Sequence, residues 1–503
     1  MFSLDWTSLV WGGFLLAALV VMVSKRENKQ RPPGPPGWPV IGNLFDLGTM
    51  PHQSLYHLRS KYGPVLWLKF GSMNTMVIQS PKAAAQLFKN HDLNFSDRKC
   101  PGVLKAHDYF QGTLAFGRYG PYWRVLRRLC SSEMLVTKRI NEIAPLRQKC
   151  IDAMIGWIEK DAREKESGEV KLPDFLFPMT FNVVGNLMLS RDLLDLNSKE
   201  GHDFYNAMGG IMENVGTPNL SDFFPWLRWL DLQGLHRRMV RDMGQAKSLV
   251  GGFVKERVQD QQFGQEKERK DFLDALLEFE GDAKEWPRKM TDRNTNIIIL
   301  EMFFAGSETT SSTIEWGMAE IIRKPEIMKK VKEELERVII PNKKVEESDV
   351  EKLPYLQAVV KETLRLHPAL PLLLPRNALQ DVNFMGFDIP KDTQVFVNTW
   401  AIGRDPDSWD DPLSFKPERF LDSKVDYKGQ NFEFLPFGSG RRICVGMVLA
   451  DRVVHLALAS LLHTFDWELP NNITQETLDV NEKMGITLRK LVPLKAIPKK
   501  RII

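Results

Sequence analysis

Cys444 lies in the segment Phe437-Gly-Ser-Gly-Arg-Arg-Ile-Cys-Val-Gly446, where glycines, two adjacent arginines and one sulfur occur together. The glycines permit tight backbone turns, and Gly446 lets the chain pass close to a bulky group just after the sulfur. Arg441 and Arg442 place positive charge beside the thiol, which favours the thiolate. A thiolate in a glycine-rich loop that opens onto an apolar helix (Met447–Leu462) is chemically suited to ligate iron. Taken alone, a lone cysteine is more often a buried structural residue.

A second constellation is Ala305-Gly-Ser-Glu-Thr-Thr310, in the middle of the apolar stretch Asn294–Arg323. Gly306 removes a side chain from one helix face and leaves room for a small ligand. Thr309 is placed to bond back to the carbonyl of Ala305, which loosens the helix there. Glu308 and Thr309 together supply an acid and a hydroxyl, the parts of a proton relay. Read without Cys444, the same residues describe an ordinary helix with a polar patch. Further along, Lys361-Glu-Thr-Leu-Arg365 sets Glu362 and Arg365 three apart on one helix surface, and Phe415-Lys-Pro-Glu-Arg-Phe420 offers Arg419.

The pattern F-x-x-G-x-R-x-C-x-G, met by Phe437, Gly440, Arg442, Cys444 and Gly446, resembles the haem-binding loop of the cytochromes P-450. The resemblance runs through nearly the whole chain in the family's order. It implies haem b as cofactor, with Cys444 as the axial ligand of the metal, a thiolate that favours O–O cleavage. It implies that Glu308 and Thr309 deliver protons during oxygen activation. Glu362, Arg365 and Arg419 resemble the family's E-x-x-R and PERF arrangement, a buried structural charge network behind the haem. Trp123 and Arg127, four apart on one helix face, resemble the W-x-x-x-R element. With Arg376 and Arg442 they are the expected partners of the haem propionates, since a guanidinium matches a carboxylate. Val445 is a departure, because many relatives have proline after the cysteine; the C-x-G spacing survives.

The elements that must position these residues are mostly helical. Amphipathic or apolar stretches cover Pro145–Glu164, Gln245–Gln262, Asn294–Arg323 and Pro325–Val338. Val65–Phe70 and Thr75–Gln79, broken by Gly71 and Ser72, predict a hairpin. A second β pattern covers Val382–Val397, with breaks at Gly386 and Pro390. The expected fold is mainly α with small β-sheets, the cytochrome P-450 fold that the resemblance implies, preceded by one transmembrane helix.

That helix is predicted from Trp6 to Val23, an uncharged run about long enough to span a bilayer. Lys25, Arg26, Lys29 and Arg31 follow it, so the positive-inside rule leaves the body in the cytosol. A cleaved signal is the competing reading, but the basic n-region and small-residue cleavage site are missing. The expected divisions are an anchor over 1–24, a basic and proline-rich hinge over 25–37, and one catalytic domain over 38–503. The chain is 43% hydrophobic and 26% charged, which fits folded cores. A net charge of +4 is too mild to argue for nucleic acid. Four cysteines in 503 residues do not make a disulfide framework and suggest a reducing compartment.

The resemblance extends to plant microsomal members of the group that includes geraniol hydroxylases, ferruginol synthases and iridoid oxidases. It is carried by Leu353–Lys361, Asn398–Asp405, Leu435–Gly440 and the C-V-G variant. It implies a monooxygenase at the endoplasmic reticulum membrane that uses dioxygen, NADPH electrons through a flavoprotein reductase, and a small hydrophobic substrate. A monoterpenoid or iridoid is the leading expectation, with a fatty acid or phenylpropanoid as the alternative. A haem-thiolate isomerase or dehydratase, or a non-catalytic haem carrier, fits less well because the acid–threonine pair is retained. The pocket is expected from Ile299–Ser307, Ala369–Leu374 and Met484–Thr487, with a wall of Leu372, Leu373, Leu374, Met484 and Ile486. Thr487 is expected to reach a substrate oxygen, and the loop from Arg98 to Gln111 to cover the haem.

Overall fold

The computed structural model describes residues 30–194, 199–262, 270–281 and 287–501. The expected span Trp6–Val23 and its flanking Lys25, Arg26 and Lys29 lie outside the described residues. The longer helices are α1 (Pro51–Tyr62), α2 (Pro121–Leu129), α3 (Ala144–Glu164), α4 (Pro173–Leu189) and α5 (Lys199–Gly216). They continue with α6 (Leu235–Gln262), α7 (Asp292–Arg323), α8 (Pro325–Val338), α9 (Pro354–Leu366) and α10 (Met447–Thr464). The mainly helical expectation holds; α6 starts ten residues before the predicted Gln245.

α7 is the central element. Thr291 caps it by accepting from the Asn294 amide at 3.2 Å, and Pro325, beginning the next helix, forces the stop after Arg323. Ile297, Ile298, Ile299, Leu300 and Phe303 are all buried. A helix that is apolar around its circumference needs protein on every side, and α7 has it, packing on α4, α6, α9 and α10. Phe181 of α4 stacks on Phe303 with ring centroids 4.5 Å apart. Of the described helices, α10 is long and apolar enough to cross a membrane. Its place in the core, against α7 and α3, accounts for that composition.

The predicted hairpin forms as β1 (Val65–Phe70) and β2 (Met73–Ile78), antiparallel with Val65 opposite Ile78. The second β pattern resolves into β3 (Arg376–Asn377), β4 (Val382–Phe384), β5 (Phe387–Ile389) and β6 (Gln394–Val397). β6 joins β2 in parallel and pairs with β3 in the opposite sense, giving a sheet of order β1-β2-β6-β3. β3 is the edge that carries Arg376 to the site. The proline-rich stretch expected to act as a spacer is docked on this sheet: Trp67 N donates to Pro33 O at 2.9 Å, and Arg31 lies over the Trp67 ring.

Glu362 and Arg365 are completely buried and doubly hydrogen-bonded, at 2.7 and 2.8 Å. Arg419 Nε reaches the same carboxylate at 3.0 Å. Arg365 also donates to the carbonyls of Gly403, Pro412 and Ser414, fastening α9 to the chain that leads toward the cysteine loop. Glu362→Ala should therefore destabilise the protein by about 3–5 kcal/mol, because it strands a buried guanidinium. Chemical denaturation of the purified variant measures this; a loss below about 1 kcal/mol, the range of an exposed pair, would refute the role.

Candidate active site

The cysteine loop is irregular chain held from outside. Gly438 and Gly440 have φ of +71° and +70°, and a Cβ at Gly440 would collide with the Asp92 carboxylate. Cys444 N donates to Phe437 O at 3.0 Å, closing the turn. Arg127 on α2 donates to Ile443 O at 2.7 Å. Arg376 donates to Ser439 O at 2.8 Å and pairs with Asp92 at 2.9 Å. Arg442 Nε bonds Ser96 O, and its terminal nitrogens bond Leu114 O and Gly117 O, at 2.9, 3.2 and 2.7 Å.

This arrangement corrects the reading of the thiol. Arg441 turns away to Asp92 at 2.9 Å, and Arg442 is taken up by carbonyls. The groups that favour the thiolate are the Gly446 amide and Arg127. Burial outweighs both, so the Cys444 thiol lies above its usual pKa. Its surface is open, but onto an interior cavity rather than bulk water.

That cavity, about 310 Å³, lies between the cysteine loop and α7 and is largely apolar. Trp123, Arg127, Arg376 and Arg442 all line it, as the sequence pattern implied. Arg98 lines it too, and was foreseen only as the start of a covering loop. Arg98 donates to Leu374 O and Pro375 O at 2.6 and 2.9 Å, while its buried Nε has no hydrogen-bond partner. Burial, with Arg442 and Arg376 nearby, holds its pKa well below the usual arginine value. Arg442, stacked on Trp123 at 4.0 Å, is brought down to about 9 by burial and by Arg376 and Arg127. Crowded, buried cations call for anions. A dicarboxylate such as haem, with its propionates toward these arginines, fits.

On the opposite wall Thr309 donates to Ala305 O at 2.7 Å, as predicted, and lines the cavity. Gly306 works differently from expectation. A Cβ there would come within 2.7 Å of Val184, so the missing side chain admits α4 as well as facing the cavity. Glu308 is buried beside Thr309 in sequence but points elsewhere. It accepts from Thr487 at 3.3 Å and pairs with half-exposed Arg489 at 3.2 Å. Burial raises its pKa despite both partners. Thr487 lines the cavity but directs its hydroxyl to Glu308.

Leu373, Leu374 and Ile486 face the cavity as expected; Leu372 and Met484 do not. Leu373 has φ +50°, a turn that sends Leu372 into the cluster of Leu55, Leu66 and Phe70. Met484 packs against that same cluster. Thr180, Val183 and Val184 from α4 and Ile211, Met212 and Val215 from α5 were missed as wall residues. The high apolar content of α4, whose polar residues are Asp174, Thr180, Asn182 and Asn186, was the available signal.

A match to the family Cytochrome P450 covers residues 32–494. The chain is 56% identical to an iridoid oxidase of Catharanthus roseus, over 99% of this chain and 97% of the relative. It is 42% identical to a geraniol 8-hydroxylase of the same plant, over 94% of each. A solved zebra fish cytochrome P450 with progesterone superposes with a TM-score of 0.76 at 28% identity, covering 90% of this chain and 99% of that one. The chain therefore belongs to the cytochrome P450 family and is a haem-dependent monooxygenase that takes dioxygen, a hydrophobic substrate and NADPH electrons from a redox partner.

Proposed function

We propose that this monooxygenase holds its haem iron through Cys444 and oxidises a terpenoid of the monoterpenoid or iridoid class at an allylic carbon. The observation that carries the ligand assignment is that Cys444 is the only thiol among the residues lining the arginine-walled cavity. The substrate class rests on the likeness to the iridoid oxidase over nearly the whole chain, together with an apolar wall of α4, α5 and α7 side chains. Such a wall holds a ten-carbon skeleton by burial, so shape rather than hydrogen bonding sets the position attacked. The electron donor is proposed to be an NADPH-dependent flavoprotein reductase, with exposed Arg124 among the cations available to dock it. The enzyme is proposed to be a single-pass protein of the endoplasmic reticulum, anchored by residues 1–24, with its catalytic domain in the cytosol.

Haem held in this cavity would supply the activation of dioxygen, one oxygen atom entering a C–H bond and the other leaving as water with two electrons and two protons. The protein supplies orientation, exclusion of water and the protons. Trp123, Arg127, Arg376, Arg442 and the missed Arg98 hold the propionate side. Thr309 presents a hydroxyl at the cavity face of α7. Glu308 offers a buried carboxyl to the relay, with Arg489 toward the surface and Thr487 toward the cavity.

Cys444→His should abolish the red-shifted Soret band that a thiolate gives in the reduced carbon-monoxide complex; persistence of that band would overturn the ligand assignment. Thr309→Ala should keep haem and substrate binding while diverting reducing equivalents to hydrogen peroxide. Glu308→Gln should slow turnover more than it weakens binding. Losses of about 10²–10⁴-fold are typical of a displaced proton-transfer group; unchanged product per NADPH in Thr309→Ala would remove that residue from the relay. For the substrate, reductase-supported assays of geraniol, an iridoid alcohol, a fatty acid and a phenylpropanoid should show efficient oxidation of the first two. Efficient fatty-acid or phenylpropanoid oxidation beside inert terpenoids would sink the substrate class and leave the haem chemistry standing.

A further inference from the structure

Glu301 is a completely buried carboxylate on α7, one helical turn before Ala305, and the relay has no use for it. Its oxygens accept from the Leu114 amide at 2.5 Å, the Ala115 amide at 3.0 Å, the Tyr109 hydroxyl at 3.3 Å and the Thr113 hydroxyl. All four donors belong to one stretch, residues 109–115, which runs from the end of a 3-10 segment (Gly102–Gln111) into the loop after it, and Tyr109, Leu114 and Ala115 line the cavity. The other side of the stretch is tied to the cofactor cations. Leu114 O accepts from Trp123 Nε1 at 2.9 Å and from Arg442 at 3.2 Å. The peptide at Leu114 is therefore clamped between an acid at its N–H and a cation at its carbonyl.

The loop needs such a clamp. Its preceding turns break at His107 and Asp108, which have φ of +50° and +57°, conformations that L-residues adopt only when their surroundings hold them. Gly102 N is held by the Asp222 carboxylate and His107 by Val240 O, so the segment is placed by outside ties rather than by a regular ladder. A carboxyl group that accepts from two amides and two hydroxyls ties the stretch at four points at once, and with those donors engaged it has little left for a substrate.

We propose that Glu301 is a positioning residue that fixes loop 109–115 over the cavity, and that it thereby sets which carbon of an apolar substrate is presented for oxidation. This rests on the reading of the cavity as the terpenoid site. Where shape alone orients the substrate, a wall that drifts admits more than one pose. Glu301→Gln replaces one acceptor oxygen by a donor that faces the loop's own N–H and O–H groups.

The test uses the full-length, haem-loaded protein. Hydrogen–deuterium exchange in Glu301→Gln should rise by about tenfold or more over residues 109–117, the effect expected when buried hydrogen bonds that hold a segment are lost. Geraniol should bind more weakly in the spectral titration, KM should rise more than kcat falls, and the oxidation should spread over more than one carbon. Unchanged exchange in that segment, or an unchanged product ratio with unchanged KM, would overturn the proposal. If Glu301→Gln does not accumulate as folded protein, Tyr109→Phe and Thr113→Val remove single donors, and the same exchange and product ratios decide. Failure of the parent enzyme to bind geraniol would count against the terpenoid reading, whereas the exchange result judges the loop clamp by itself.

Discussion

Buried irregular chain must have partners for its carbonyl groups, and in this protein arginine provides many of them. Arg442 joins Ser96, Leu114 and Gly117 to the cysteine loop; Arg127 holds Ile443; Arg376 holds Ser439; Arg98 holds Leu374 and Pro375. Arg365 does the same for Gly403, Pro412 and Ser414 further back. A planar fork with five donors in fixed directions can bridge carbonyls on different segments at once, with more donors and a more rigid geometry than a lysine ammonium. The cavity's cationic wall is thus a consequence of how its backbone is held together, and the same groups suit a dicarboxylate cofactor.

The opposite wall is built on a different principle. α7 gains its position from apolar burial around its whole circumference, which leaves few surfaces for polar residues. Three buried acids on it are each directed by an outside partner: Glu301 by loop 109–115, Glu308 by Thr487 and Arg489, and Glu315 by the Leu494 amide. Thr309 bonds along its own helix, as Ser311 and Thr313 do, and also faces the cavity. The substrate region therefore lies between a wall held by charge and a wall held by packing.

Local pattern was enough for much of this. Helix periodicity located α3, α7 and α8 within a residue or two, because a side chain's face is set by the helical repeat alone. The hairpin β1–β2 was legible from alternation around Gly71. The start of α6 was missed, although Leu235, Met239 and Met243 recur there at helical spacing and are buried. Short strands such as Arg376–Asn377 carry too few residues for any periodicity.

The chain's own order of residues determined the chemistry available: one cysteine between glycines and arginines, an acid beside a threonine within an apolar helix, and an E-x-x-R pair with a distant arginine. Only the tertiary structure decided where each of these points. It turned Arg441 outward to Asp92, sent Leu372 and Met484 to another cluster, set Val184 against one side of Gly306, and brought Arg98 into the cavity wall. The reason is physical. Residue type and spacing fix what a side chain can do and which face of its own element it takes. Its partners come from distant segments, 346 residues away in the case of Arg442 and Ser96, and no local pattern encodes them.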